Sequence, residues 1–286
     1  MTTPSIHPDT TLGYVHLTVS NLEQSVAYYE QALGFRLHRQ QDTAAYLGAG
    51  QADLLRLTEN PKAITAKGVT GLYHFAILHP SRLELAHALQ RLVDTQTPVG
   101  GFSDHLVSEA IYLSDPDGIG IELYRDRPRT EWQYPNNQLK MTVDPLDIDG
   151  LLAELHGAET AWPGLSAQTV IGHIHLHVAN IAPAESFYRD VMGFDLMLRY
   201  GSSASFMSAG GYHHHLGMNT WAGVGAPPPL ENSAGLRWYT IELPNPATLE
   251  EVLDRVRQAN IPVQQQPEGY FLQDPSHNGI ILTSTA

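Results

Sequence analysis

The chain has 286 residues, 42% of them hydrophobic, which suggests two domains and enough apolar mass for real cores. Its formal charge of -14, from 30 acidic and 16 basic side chains, argues against nucleic acid or an anionic membrane as the main partner. The absence of cysteine excludes disulfides, thiolate nucleophiles and Cys-rich zinc sites, whereas 15 histidines make imidazole the group to follow.

The stretch up to Tyr14 has no apolar signal-like segment, and no run approaches the ~18 apolar residues of a spanning helix, so a cytoplasmic protein is expected. Gly13-Tyr14-Val15-His16-Leu17-Thr18-Val19 reads as a strand, followed by an amphipathic run over 24–30 and Leu33-Gly34-Phe35. A second unit opens at Gly71-Leu72-Tyr73-His74-Phe75 and closes around Asp115-Pro116-Asp117-Gly118. Residues 141–168 read as a linker with one short helix, 148–156, ahead of Trp162-Pro163-Gly164. Gly172-His173-Ile174-His175-Leu176-His177-Val178 then echoes the first strand, with a helical run over 184–190 and Met192-Gly193-Phe194 after it. A fourth unit opens at Gly235-Leu236-Arg237-Trp238-Tyr239 and closes on Asp274-Pro275-Ser276.

The chain therefore repeats one unit of about 50 residues four times: a strand, a helix and three more strands. Residues 1–140 hold the first two modules, about 11–60 and 71–126, and residues 169–286 hold the other two. One module cannot bury its own sheet face, so modules must pair. The expected class is α+β, with four βαβββ modules paired into two curved-sheet cups. Asp115-Pro116-Asp117-Gly118 reads as a hairpin turn rather than an acid pair. Tyr28, Tyr29, Phe187 and Tyr188 fall on helical stripes and read as core.

This pattern resembles the vicinal-oxygen-chelate superfamily of glyoxalases, bleomycin-resistance proteins and extradiol dioxygenases. Within it the sequence is most similar to the bacterial catechol 2,3-dioxygenase group. The resemblance is carried by Gly71–Ala76, His105–Gly118, Ile121-Glu122-Leu123-Tyr124, Gly172–Val178 and Gly210–Gly217. It implies cleavage of catechol or a substituted catechol by dioxygen beside the two hydroxyls, giving a muconic semialdehyde. The implied cofactor is a non-haem Fe(II), with Mn(II) as the alternative, held by two histidines and one carboxylate. His74 and Glu122 stand at matching positions, and the third ligand is His16 or His175. Tyr112, ten residues before Glu122, and His105 match groups that bind the diol, while His214 matches an acid–base histidine.

Module pairing separates the two candidates for third ligand. Neighbour pairing joins His16 to His74 and Glu122 and leaves His175, Trp238 and Ile281 in the other cup. Crossed pairing joins His175 and the strand 213–215 to His74 and Glu122, leaving His16, Arg56, Trp238 and Ile281. The crossed arrangement is preferred because it gathers more reactive residues into one cavity. His173, His175 and His177 share one strand face with about 6.6 Å between successive members, so one ligand is expected there, with His173 and His177 structural. Modules can also pair between chains, which leaves room for a homo-oligomer. The rival functions are a glyoxalase-like metal-dependent isomerase or lyase and a metal-free protein binding an aromatic ligand.

Overall fold

The computed structural model describes residues 4–158 and 162–285, so residues 159–161 of the linker lie outside the described residues. The first module comprises β1 (Thr11–Val19), α1 (Leu22–Gln31), β2 (Arg36–Gln41), β3 (Ala44–Ala49) and β4 (Ala52–Glu59). A two-residue strand, β5 (Ile64–Thr65), leads to the second: β6 (Gly71–His79), α2 (Arg82–Asp94), β7 (Gly101–Asp104), β8 (Ser108–Ser114) and β9 (Gly120–Asp126). The linker carries α3 (Ile148–Ala153), shorter than its sequence suggests. The third module has β10 (Val170–His177), α4 (Ile181–Ser186), β11 (Asp195–Tyr200), β12 (Ala204–Ser208) and β13 (Leu216–Asn219). The fourth has β14 (Ser233–Leu243), α5 (Pro246–Gln258), β15 (Gln264–Gln266), β16 (Gly269–Gln273) and β17 (Gly279–Ser284).

Four of these helices begin where a side chain caps the first turn, α3 among them through Asp147, which accepts from the Gly150 N–H. Asn21, Ser81 and Asn245 accept hydrogen bonds from the backbone N–H of Gln24, Glu84 and Thr248, satisfying donors the helix itself leaves open. The helix of the third module continues from α4 into a π-helical turn over Phe187–Met192 and ends on Gly193 in the left-handed region. None of the described helices is long and apolar enough to cross a membrane.

Two curved sheets form, and the modules that share each one are not the neighbours in sequence. One sheet runs β15-β16-β17-β14-β1-β4-β3-β2, joining the first and fourth modules, with β5 beside β14. The other runs β11-β12-β13-β10-β6-β9-β8-β7, joining the third and second. At both centres the first strands of two modules pair antiparallel, β1 with β14 and β6 with β10. Phe75, Ile77, Ile174 and Leu176 are fully buried on the helix-covered side of the second sheet, and each contributes about 1.5–3 kcal/mol by leaving water.

Sequence neighbours are instead held together by tyrosines. The Tyr29 hydroxyl on α1 donates to Asp115 at 3.0 Å, and Tyr188 donates to Asp274 at the same distance. Asp115 Oδ1 also accepts from the N–H groups of Asp117 and Ile119, and Asp274 Oδ1 from those of Ser276 and Asn278. Each aspartate thus closes a turn and receives a helix from the other sheet. Burial pushes the Asp115 carboxyl up to about 6 and Tyr29 well above the usual phenol range.

Candidate functional site

The second sheet brings four strands side by side in one lateral row. Tyr112 on β8 lies opposite Glu122 on β9, Glu122 opposite Ala76 on β6, and Ala76 opposite His173 on β10. Ala76 contributes only a methyl group, so the carboxylate and the imidazole on either side can reach toward each other. His74, two residues earlier on β6, points to the same side by strand alternation. Its Nε2 lies 3.0 Å from Glu122 Oε2 and 3.3 Å from His173 Nε2, and His173 Nε2 lies 3.0 Å from Glu122 Oε2. All three residues are buried.

This row departs from the expected ligand set. His175 lies opposite His74, one pleat step from the row of Glu122, because β10 carries register irregularities on both sides of the stretch 173–175. Its ring packs edge-on against Tyr73, His74 and Phe206, and its buried Nε2 has no hydrogen-bond partner. Among the described residues, the donors close enough to share one ion are those of His74, Glu122 and His173, without His175. His173, read from sequence as structural, thus stands in this group where His175 was expected. The available signal was the frame His74-Phe-Ala-Ile against His173-Ile-His-Leu, in which the fourth residue of each is buried apolar.

His16 stays in the other cup. Its Nε2 contacts Thr58 Oγ1 at 2.8 Å, its ring packs edge-on to Trp238 at 4.1 Å, and burial, aided by Arg56 and Arg237, lowers it to about 2. Arg56 itself pairs with Glu268 at 2.7 Å.

Beside the row, the Tyr112 hydroxyl lies 2.7 Å from His105 Nε2, and His105 Nδ1 lies 2.6 Å from the Thr142 carbonyl. A carbonyl only accepts, so Nδ1 of His105 carries the proton and Nε2 accepts from the phenol. Burial, then the Glu122 charge, pushes the Tyr112 phenol well above its usual range. Residues past β9 support this corner: Trp132, Leu139 and Met141 pack with Val107 and Tyr212.

The run 213–215, read from sequence as a strand, forms the turn before β13 instead. His214 does reach the cluster, its ring centroid 4.2 Å from that of His173 and 5.0 Å from Phe206. His213 is fully buried behind it, and His215 accepts from the Ala209 N–H. Burial holds His214 well below the usual imidazole range and His215 at about 3.

The three-residue cluster suits a divalent cation. Burial alone would raise the Glu122 carboxyl, but the charges and hydrogen bonds of His173 and His74 hold it well below the usual range, while burial lowers His173 to about 4. One anion beside a neutral His173 is a donor set that binds a 2+ ion at neutral pH. Ligand distances of about 2.1 Å at right angles place donors about 3.0 Å apart, close to the separations seen here. An open cleft of about 1160 Å³ leads from His74 and Tyr112 past Tyr73, His177 and Trp221 toward Trp238 on the other sheet.

Paired βαβββ modules around a buried two-histidine, one-carboxylate cluster define a cup protein of the glyoxalase type with a candidate metal site. The chain belongs to the glyoxalase/bleomycin resistance protein/dioxygenase superfamily, whose family model matches residues 11–123 and again 170–282. It is 47% identical over 276 residues to the catechol-2,3-dioxygenase of Bacillus subtilis (strain 168), covering 95% of this chain and 96% of that protein. The fold is shared with a Bacillus subtilis protein solved as a candidate dioxygenase, at 12% identity and TM-score 0.66 over 98% of this chain and 86% of that one. It is also shared with glyoxalase I of Zea mays, at 15% identity and TM-score 0.58 over 96% and 92% of the two chains.

Proposed function

We propose that the protein is an extradiol dioxygenase that opens the ring of catechol or a substituted catechol at a metal held by His74, Glu122 and His173. The observation that carries this reading is the convergence of these three donors, 3.0–3.3 Å apart, beside the Tyr112–His105 pair. That the chain is an oxidoreductase of the catechol-2,3-dioxygenase kind follows from its 47% identity to such an enzyme over nearly its whole length. The two-histidine, one-carboxylate set favours Fe(II), with Mn(II) as the alternative. Bound there, Fe(II) would supply the redox chemistry for the reaction of a diol with dioxygen.

The chain's own groups handle the protons. Tyr112 already donates to His105, so its oxygen is free to accept from a diol hydroxyl. As the diol loses that proton, Tyr112 passes its own to His105 Nε2, and the imidazolium formed keeps its Nδ1–H on the Thr142 carbonyl. The raised pKa of Tyr112, from burial and the Glu122 charge, keeps the phenol protonated between transfers. His214 stands on the opposite flank, over His173, and serves as the acid–base group near the dioxygen side. A glyoxalase-like isomerase is disfavoured because the groups next to the cluster are the imidazoles of His175 and His214.

The test is anaerobic loading with Fe(II), followed by catechol in air, with dioxygen uptake and the yellow ring-fission product read together. One dioxygen consumed per catechol with yellow product supports the reading. Full metal occupancy with neither signal, across several substituted catechols, would overturn it. His74→Ala and Glu122→Ala should each lose both metal and turnover.

A further inference from the structure

The cup built by the first and fourth modules lacks the donor set of the other cup but keeps its space. The repeat puts Tyr14 after Gly13 where His173 follows Gly172, and Trp238 in Gly235-Leu236-Arg237-Trp238 where His74 closes Gly71-Leu72-Tyr73-His74. On β17, Ile281 lies opposite Thr240 as Glu122 lies opposite Ala76. A phenol, an indole and an alkyl group offer no imidazole or carboxylate to a divalent cation. The space is not filled in compensation. At this end the shared cleft is lined by Thr58, Arg237, Trp238, Gln266 and Phe271, and a separate cavity of about 140 Å³ lies among Tyr14, Tyr46, Arg56 and Glu268.

Guanidinium groups and aromatic rings alternate across this cup. Arg39 lies 3.6 Å from the centre of the Tyr46 ring, Arg56 5.2 Å from Tyr46 and 5.8 Å from Trp238, and Arg237 5.7 Å from Trp238. Arg39 pairs with Asp53 at 3.1 Å and Arg56 with Glu268 at 2.7 Å. Arg237, last in the row, lines the cleft and pairs with no carboxylate among the described residues. Partial burial and then the Arg56 charge lower its pKa, so positive charge accumulates here in a chain of net charge -14. Of the acids along the same cleft, Glu59 and Asp117 already accept from the Leu22 and Ser20 N–H groups, and Glu231 is exposed. The Trp238 indole is fixed in place: its N–H donates to the Tyr14 hydroxyl at 3.3 Å, and its ring packs edge-on to His16 at 4.1 Å and to Phe271 at 6.3 Å.

We propose that this second cup is a metal-free binding site for an aromatic or conjugated carboxylate, whose flat π-system packs on Trp238 and Phe271 while its carboxylate pairs with Arg237. The planar fork of a guanidinium matches both oxygens of a carboxylate, which supplies the charge recognition. The rings add stacking that a small anion cannot use. The ring-fission product proposed above is a conjugated carboxylate of this class, whereas catechol, uncharged at neutral pH, is not.

The test titrates benzoate into the full chain, loaded with Zn(II) and labelled with ¹⁵N-tryptophan. The chain has four tryptophans, so four indole N–H signals report where the probe sits, and Trp238→Phe identifies the signal of Trp238. Benzoate should move that signal saturably with a Kd below about 1 mM. Benzamide, which keeps the shape without the charge, and acetate, which keeps the charge without the ring, should each bind at least about 10-fold more weakly. Arg237→Gln should raise the benzoate Kd about 10-fold, and Arg237→Lys should recover part of the loss. Unchanged Zn(II) content is the check that each variant is folded. Absence of a saturable Trp238 shift below about 1 mM, equal affinity in Arg237→Gln, or benzamide binding as tightly as benzoate would each overturn the proposal. So would movement confined to Trp221, whose ring is 5.5 Å from that of His175, because it would put the anion in the metal cup. No turnover is involved, so loss of the proposed reaction leaves this site standing, and loss of this site leaves the reaction standing.

Discussion

Tyr112→Phe removes a single oxygen from the site. In the folded protein that oxygen is 2.7 Å from His105 Nε2, and His105 is anchored through Nδ1 on the Thr142 carbonyl at 2.6 Å. The fold should lose little: His105 is half-buried, so water can replace the phenol, and about 1 kcal/mol is the expected cost. For a chain of this length that is a fall in Tm of about 2 °C. The metal should stay, because none of His74, Glu122 and His173 is touched. Turnover should fall far more, because the diol's proton loses its route to His105. A positioned proton transfer supplies about 10²–10⁴ in rate, so a drop of about 100-fold, or about 2.7 kcal/mol, is expected with catechol at neutral pH. The discriminating assay compares catechol with a nitro-substituted catechol, which is acidic enough to arrive already ionised. With the acidic diol the variant should come within a few-fold of the wild-type enzyme. An equal deficit on both diols, or loss of metal from the variant, would refute the proton path.

His173→Ala should empty the metal site whereas His175→Ala should retain most of the metal, as read by metal content after desalting. His79 is buried with both ring nitrogens unpartnered, and burial lowers it to about 4. A depressed histidine stays neutral in the fold while the unfolded chain takes up protons from pH 6.5 downward, so stability falls as pH drops from 6.5 toward 4. His79→Leu should remove about 2 kcal/mol of that loss at pH 5, seen as a smaller difference in urea midpoint between pH 7.5 and pH 5. Glu109, 2% exposed, accepts from Arg82, Arg125 and Arg127, and Glu109→Ala should destabilise the protein by about 2–3 kcal/mol in urea unfolding, because Arg125 loses its carboxylate partner while Arg82 keeps Glu154 and Arg127 keeps Asp104.

Much of this architecture was legible in the chain because it is written as a repeat. Four copies of a strand opening on glycine, each followed by an amphipathic run, give the modules without reference to tertiary structure. Tyr112 was legible because its distance from Glu122 is fixed by one hairpin, β8 to β9, which places them opposite each other. The choice among His173, His175 and His177 was not. All three alternate onto one face, and the selection is made by how β10 slides against β6, where local irregularities shift the pairing. The conformation of 213–215 was hidden for a related reason, since the stretch packs against Asp126, Tyr212 and Trp132 from distant parts of the chain. Tyr29 and Tyr188 read correctly as core, but their hydroxyl partners are 86 residues away in both cases.

The interleaving of modules also sets the order in which a nascent chain can be completed. The strands of the sheet that carries His74, Glu122 and His173 are all made once residue 219 has left the ribosome, since β13 is the last of them. The other sheet cannot close until β14 to β17 follow, because β1 waits throughout for β14. While β14 to β17 are being made, at about 5–20 residues per second, the first module exposes an unpaired strand edge. The sheet that holds the His74–Glu122–His173 cluster is thus complete first, and β1, the earliest strand of the two sheets, is among the last to find its place.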